Sequence, residues 1–316
     1  MNDQTSSDQE STERGILEDL ARESLKERRR ARRWGIFFKL FFAAYLIVVT
    51  LMLSMNNIAA PVGEHTALVD LEGTIARDSD VDADLIARGL RDAFKAENSR
   101  AVILRINSPG GSPVQSGLIN TEMHRLKEKY PDKPLYVVIG DMCASGGYYA
   151  AVAADRIFAD PASVVGSIGV LMNGFGLVEA MEKLGVERRL YTAGEHKAFL
   201  DPFSPVKPSE RRHVDELLGQ VHQQFIDTVR ADRGEKLSPD PKIFSGLFWT
   251  GQEALRLGLV DEFGSAGSVA REVVGAEKIV DYTPKEDIFG RITRQLGVGI
   301  AETLKWTLLE DRFTVQ

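Results

Sequence analysis

The chain has 316 residues, 43% apolar and 27% charged, values of a protein that folds in water and that exclude a disordered, collagen-like or many-span membrane chain. Lys and Arg number 39 against 46 Asp and Glu, and the resulting net charge of −7 offers no general electrostatic footprint for nucleic acid. One cysteine, Cys143, excludes an intrachain disulfide framework and any CxxC pair, and His65, His124, His196, His213 and His222 show no metal-ligand spacing.

In chain order, residues 1–33 are polar, carry as many acids as bases, and end in the basic cluster Lys26-Glu27-Arg28-Arg29-Arg30-Ala31-Arg32-Arg33. The net negative charge therefore belongs to the rest of the chain. Residues 34–55, Trp34 to Met55, hold only Lys39 as a charge, and as a helix they would extend about 33 Å, enough to cross a bilayer core. Leu40 to Leu53 is apolar around every face apart from Tyr45 and Thr50, whereas a soluble helix keeps a polar stripe. Asn57-Ile58-Ala59-Ala60 matches a cleavage site poorly, so the segment is predicted to stay as a single membrane anchor. The basic cluster predicts a cytoplasmic N-terminus and an outward-facing chain from about residue 56, which in a Gram-negative bacterium would be the periplasm.

Beyond His65 strands and helices alternate. Strands are predicted at 67–71, 101–106 and 135–139, the last two being near-continuous Val/Ile/Leu runs of the kind buried on both faces. Helices are predicted at 81–98, 113–130 and 145–154, and the pattern implies an α/β fold built on a mostly parallel sheet. After Tyr191 the chain turns more helical, at 209–233, 252–257 and 265–274. A turn-rich stretch, 281–287, leads to a last apolar segment, 292–309, read as a packed or subunit-contacting helix.

Two strand-to-helix junctions carry unusual chemistry, both at strand C-terminal ends, where open α/β sheets place ligands. In Asn107-Ser108-Pro109-Gly110-Gly111-Ser112 the paired glycines permit positive φ and let backbone N–H groups converge on a developing oxyanion. In Cys143-Ala144-Ser145-Gly146-Gly147 a serine opens a helix, near unpaired N–H groups and the positive end of the helix dipole. Such a serine is either a nucleophile or an N-cap, and it does not fit the G-x-S-x-G elbow. A hydroxyl nucleophile needs a base. His196 and Lys197 compete for that role, because a lysine serves as base when burial disfavours its charged form.

Leu104-Arg105-Ile106-Asn107-Ser108-Pro109-Gly110-Gly111, Ala144-Ser145-Gly146-Gly147-Tyr148-Tyr149, Val165-Gly166-Ser167-Ile168-Gly169-Val170, Ala193-Gly194-Glu195-His196-Lys197, Thr250-Gly251-Gln252-Glu253-Ala254 and Gly258-Leu259-Val260-Asp261 occur in this order. Together, over roughly residues 65–275, they resemble the signal peptide peptidase A (protease IV) family of membrane-anchored serine peptidases, in its short single-domain form. The resemblance implies a Clp protease/crotonase-like spiral of ββα units. It also implies a Ser-Lys dyad with Ser145 as nucleophile and Lys197 as general base, Ser167 holding the lysine amine. Backbone N–H groups of Gly146 and of Gly110 or Gly111 would form the oxyanion hole, each donor contributing about 3 kcal/mol.

On that resemblance residues 56–280 are a periplasmic peptidase domain of a bacterial inner-membrane protein, and 281–316 a C-terminal helical segment. The implied substrates are cleaved signal peptides and other unfolded or apolar peptides, pairing as strands near Ser167 to Val170. The implied assembly is a homo-oligomeric ring, an octamer, in which the serine and lysine of one site come from adjacent subunits. Neither metal nor other cofactor is implied. Two rivals share the fold: a crotonase-like acyl-CoA enzyme, disfavoured by an outward-facing domain, and a catalytically silent membrane scaffold.

Overall fold

The computed structural model describes residues 30, 32–50, 63–79 and 81–284. Two units, Met1–Pro61 and Val62–Gln316, are described separately. In the first, helix α1 (Arg32–Thr50) has a mean hydropathy of 1.6 and is long and apolar enough to cross a membrane. Trp34 stacks on Phe38 one turn later, with ring centroids 5.7 Å apart. Residues 51–55 of the expected span lie outside the described residues.

The second unit is built on an eight-stranded sheet, and the α/β expectation holds. Strands β1 (His65–Glu72), β2 (Ser99–Ser108) and β3 (Leu135–Ala144) form its parallel centre. Helices α2 (Ala83–Lys95) and α3 (Pro113–Lys129) provide the crossovers, and α4 (Gly146–Ala151) follows β3 directly. Each helix starts where its chemistry dictates. Asp82 caps α2 by accepting the Asp84 N–H, and Ser112 caps α3 ahead of Pro113, whose missing donor is harmless there. The period-two alternation of the strands feeds two cores. Ala67, Val69, Leu71, Val102, Leu104 and Ile106 face the larger one, against Ile86, Leu90 and Phe94 of α2, while Leu68, Ile103 and Val138 face a smaller one with Phe158 and Val269. Both sheet faces are covered, which is why the central strands read as continuous apolar runs.

Beyond α4 the sheet forks on β3. Strand β4 (Arg156–Ala159) pairs with residues 136–138 of β3, and β5 (Val164–Gly166) pairs with residues 142–144 further along. This lets one strand belong to two diverging ribbons. Helix α5 (Val178–Leu184) and the long α6 (Pro208–Arg233) follow. Then β6 (Phe248–Thr250) runs antiparallel to β5, and helix α7 (Gly251–Arg256) leads to β7 (Glu262–Phe263), which pairs with β4. Helix α8 (Ala266–Ser268) continues into a π-helical turn, Val269–Val274.

Strand β8 (Ile279–Asp281) pairs with β1, so the expected boundary at 280 falls inside a sheet strand, and the turn-rich stretch begins only after Asp281. Strands β4 to β8, two to four residues each, carry too little pattern to be read locally. The segment 292–309 lies outside the described residues.

A buried polar knot fastens the end of α6 to the sheet. Arg233, 3% exposed, donates to both Asp261 carboxylate oxygens and to the Gly258 carbonyl, and Asp261 also accepts the Ile157 N–H of β4. Close by, the fully buried Tyr148 of α4 donates its hydroxyl to the Leu259 carbonyl at 2.8 Å.

Candidate active site

The C-terminal ends of β2 and β3 open into a cavity of about 910 Å³, lined by Ser145, Gly146, Gly111 and Ser167 on its polar side. Pro109, Pro113, Val114, Tyr149, Val170, Leu171, Val221 and Phe225 supply apolar walls. Ser145 ends β3 and precedes α4 with φ +50° and ψ −123°, a conformation costly for a residue with a Cβ. Its own N–H donates to the Gly166 carbonyl at 2.8 Å, and its carbonyl accepts the Tyr149 N–H at 2.9 Å. The hydroxyl caps no N–H of α4, so the N-cap alternative is not how this serine is used. Ser167 is likewise held at positive φ (+53°), by an N–H bond to the Leu247 carbonyl at 2.7 Å. The Gly166 carbonyl thus joins the Ser145 segment to the end of β5, just before Ser167.

The glycine turn settles which amides are free. The Gly110 N–H donates to the buried Ser108 hydroxyl at 3.1 Å and is occupied. Gly111 bridges in parallel to Ile75, whose N–H donates to Gly110 O while its carbonyl accepts from Ser112, both at 2.8 Å. This pattern leaves the Gly111 N–H without a partner among the described residues. The Gly146 N–H, first in α4, has no intrahelical acceptor. A Cβ on Gly146 would lie 3.2 Å from the Gly111 nitrogen, so the two free amides belong to segments in direct contact.

Cys143, two residues before the serine, is wholly buried, and burial pushes its thiol far above the ordinary range. It is a packing residue.

Lys197 lies apart from this cluster. It sits in a run of tight turns over 193–200, is exposed, does not line the cavity, and its amine makes no hydrogen bond or ion pair among the described residues. His196 is also exposed, 3.8 Å from Glu195. The stretch from Leu171 to Val206 packs little against the body: Phe175 (88% exposed), Leu184 (76%) and Tyr191 (89%) stand in solvent, and α5 buries no residue. One chain therefore brings together Ser145, Gly146, Gly111 and Ser167 but not Lys197.

Two features went unseen in the sequence. Helix α6 walls the cavity, with the His222 ring nitrogen donating to the Ile168 carbonyl at 3.1 Å; its pattern predicts a helix, but nothing local shows which of its residues reach the site. Behind the site, Asn120 Nδ2 donates to the Tyr149 carbonyl at 3.1 Å and to Asp232 at 3.2 Å, while Asp232 lies 3.0 Å from His124. This ties α3, α4 and α6 into one support. On the cavity's open side the main-chain groups of Gly169 and Val170 make no hydrogen bond among the described residues. They form an edge that an extended peptide could pair with.

Comparison with known proteins adds an independent finding. Residues 127–279 match the model of peptidase family S49. A Methanocaldococcus jannaschii chain provisionally named a protease is 30% identical over 284 residues, covering 84% of this chain and 89% of that one. The serine protease SPPA of Arabidopsis thaliana chloroplasts is 30% identical over 210 residues, covering 64% of this chain and 31% of that protein. A Brucella abortus protein named Na(+)/H(+) antiporter NhaA is 44% identical over 210 residues, yet these span only 28% of its length. Its name describes a much longer chain and does not carry over to the aligned part.

Proposed function

Because the chain belongs to peptidase family S49, the family of signal peptide peptidase A and protease IV, we propose that it hydrolyses peptides with Ser145 as nucleophile and Lys197 as general base. The observation that carries this reading is the meeting, in one cavity, of a strained Ser145, two unpaired amides and the unpaired main chain of Gly169 and Val170.

The neutral Lys197 amine takes the Ser145 proton as Oγ attacks the scissile carbonyl. The oxyanion of the tetrahedral intermediate accepts from the N–H groups of Gly146 and Gly111, preorganised donors of the type that contribute most to acyl transfer. Gly110, expected as an alternative donor, holds the turn instead, through Ser108. Collapse releases the amine fragment, which receives the proton from Lys197, and water then hydrolyses the acyl-enzyme with the lysine again as base. The Ser167 hydroxyl orients the amine.

The exposure of Lys197 and of the apolar side chains around it supports contact with another copy, in which the 171–206 stretch of one copy delivers Lys197 to Ser145 of its neighbour, and the family resemblance makes that assembly a homo-oligomeric ring, an octamer. Packing would also desolvate the amine and favour the neutral form that a base requires. The substrates are cleaved signal peptides and other unfolded, apolar chains, which would lie as a strand along Gly169 and Val170 with side chains against Val114, Leu171 and Phe225. Helix α1 anchors the protein in the bacterial inner membrane with the catalytic unit in the periplasm.

The test compares wild type, Ser145→Ala and Lys197→Ala for peptide hydrolysis and for fluorophosphonate labelling. Both variants should lose hydrolysis, and the label should map to Ser145 alone. Equal activity in all three rejects the dyad, no activity in any points to a silent scaffold, and CoA binding without hydrolysis points to an acyl-CoA enzyme.

A further inference from the structure

We propose that Arg188 and Asp201 form a clasp that positions Lys197, a role that rests on the reading of Lys197 as the base. Arg188 Nη1 donates to Asp201 Oδ2 across thirteen residues of chain, with Lys197 inside the loop so closed. The Asp201 carboxylate is only 7% exposed although it belongs to the most solvent-exposed stretch of the catalytic unit. It is fully engaged. Oδ2 also accepts the Ser204 hydroxyl at 2.6 Å, and Oδ1 accepts the Phe203 N–H at 3.4 Å. The Arg188 guanidinium lies over the Phe203 ring, 5.0 Å from its centroid. Principally through the hydrogen bond from Arg188, the Asp201 carboxyl is held at about 2, so the pair stays charged throughout the physiological range.

Inside the closed loop the backbone folds as successive turns: Lys197 N–H to Gly194 O, Phe199 N–H to His196 O, and Asp201 N–H to Ala198 O, each 3.1–3.2 Å. Leu200 is held at φ +56°, a conformation that a leucine keeps only when its surroundings enforce it. The base of the loop is tied down twice more. Leu177 N–H donates to Pro202 O at 2.7 Å at the start of α5, and the Phe199 ring meets His213 of α6 edge-on, with centroids 5.4 Å apart.

No core lies beneath these turns, so a polar closure must hold them. Without it the lysine would explore a wide volume, and a misplacement of about 1 Å is enough to lower turnover on the order of 100-fold. Asp201 and Arg188 touch neither cavity nor nucleophile, so they act through Lys197 and not on substrate.

The experiment uses the full chain in detergent, with kcat and KM on an apolar peptide and hydrogen exchange of residues 189–204 followed by mass spectrometry. Asp201→Asn and Arg188→Gln should each lower kcat by about 10- to 100-fold with KM within about twofold, and the double variant should be no worse than either single one. Arg188→Lys, which keeps a cation beside Asp201 and leaves the Ser204 and Phe203 contacts of its carboxylate in place, should recover most of the turnover lost in Arg188→Gln, and exchange at 194–204 should rise in Arg188→Gln and Asp201→Asn and fall back in Arg188→Lys. Wild-type kcat and exchange in Asp201→Asn, with Lys197→Ala inactive, overturns the clasp and leaves the dyad standing. Retained activity in Lys197→Ala overturns the dyad, and the positioning role with it, whatever the exchange shows.

Discussion

Replacing Gly110 by alanine tests how tightly the oxyanion turn and the nucleophile are fitted. Gly110 has φ +102°, and a Cβ there would lie 2.7 Å from Gly146 N, 2.7 Å from Ser145 Cβ and 2.8 Å from Ala144 O. Relaxed contacts need about 3.5 Å, so the turn and the nucleophile segment must separate by roughly 0.7 Å. All three obstacles are main-chain or Cβ atoms of residues 144–146, where β3 passes into α4, and cannot swing aside as a long side chain would. The backbone strain adds on the order of 1–3 kcal/mol of instability. The same separation moves the Gly111 amide away from Ser145 and the proposed oxyanion position, which should lower kcat on the order of 10- to 100-fold. Because the Gly110 N–H already serves Ser108, the loss would come from displacement and not from a missing donor. Gly117 of α3 is the control: a Cβ there meets nothing nearer than Tyr149 Cε1 at 3.8 Å. Gly117→Ala should keep full activity and gain about 0.5–1 kcal/mol from helix propensity. Turnover of a fluorogenic peptide and thermal unfolding of both variants decide the matter. Wild-type kcat and melting temperature in Gly110→Ala would refute the geometric reasoning.

Mixing Ser145→Ala with Lys197→Ala subunits during assembly should restore roughly a quarter of wild-type activity if a random ring pairs the two residues across an interface; no recovery would place the dyad within one chain. Asp261→Asn should destabilise the catalytic unit on the order of 3 kcal/mol at neutral pH, since Arg233 would remain as an unpaired buried charge. Burial acts to raise the Asp261 carboxyl, but Arg233 and Lys236 outweigh it and hold it below the ordinary range. With the folded value below the unfolded one, the stabilisation is complete above about pH 4 and lost as pH falls through the folded value. Wild-type melting temperature should therefore drop on acidification more steeply than that of Asp261→Asn, and parallel curves would contradict the assignment. Tyr148→Phe should lower stability by about 1–2 kcal/mol without changing KM, because it strands the Leu259 carbonyl far from substrate.

The legible parts of this chain are those governed by short-range pattern. The apolar runs that became β1, β2 and β3 and the uniform apolarity of α1 each involve residues within a turn or two of one another. Ser145 was legible as a serine at a strand-to-helix junction, and its candidacy sharpened through the ordered set of glycine motifs. Strands β4 to β8 were not legible, because two to four residues show no period and exist only where β3 or β1 offers an edge. Helix α6 reads locally as a helix, yet nothing local reveals that Val221, His222 and Phe225 wall the cavity.

The division follows from the range of the interactions. Hydrophobic period, capping and helix length act along the chain and leave their mark in neighbouring letters. Which of two adjacent glycine amides stays free depends on a serine hydroxyl and on Ile75, more than thirty residues away, and the position of Lys197 relative to Ser145 depends on how an arm with no core of its own is held. Those are properties of segments meeting in space, and they became visible only once the chain was folded.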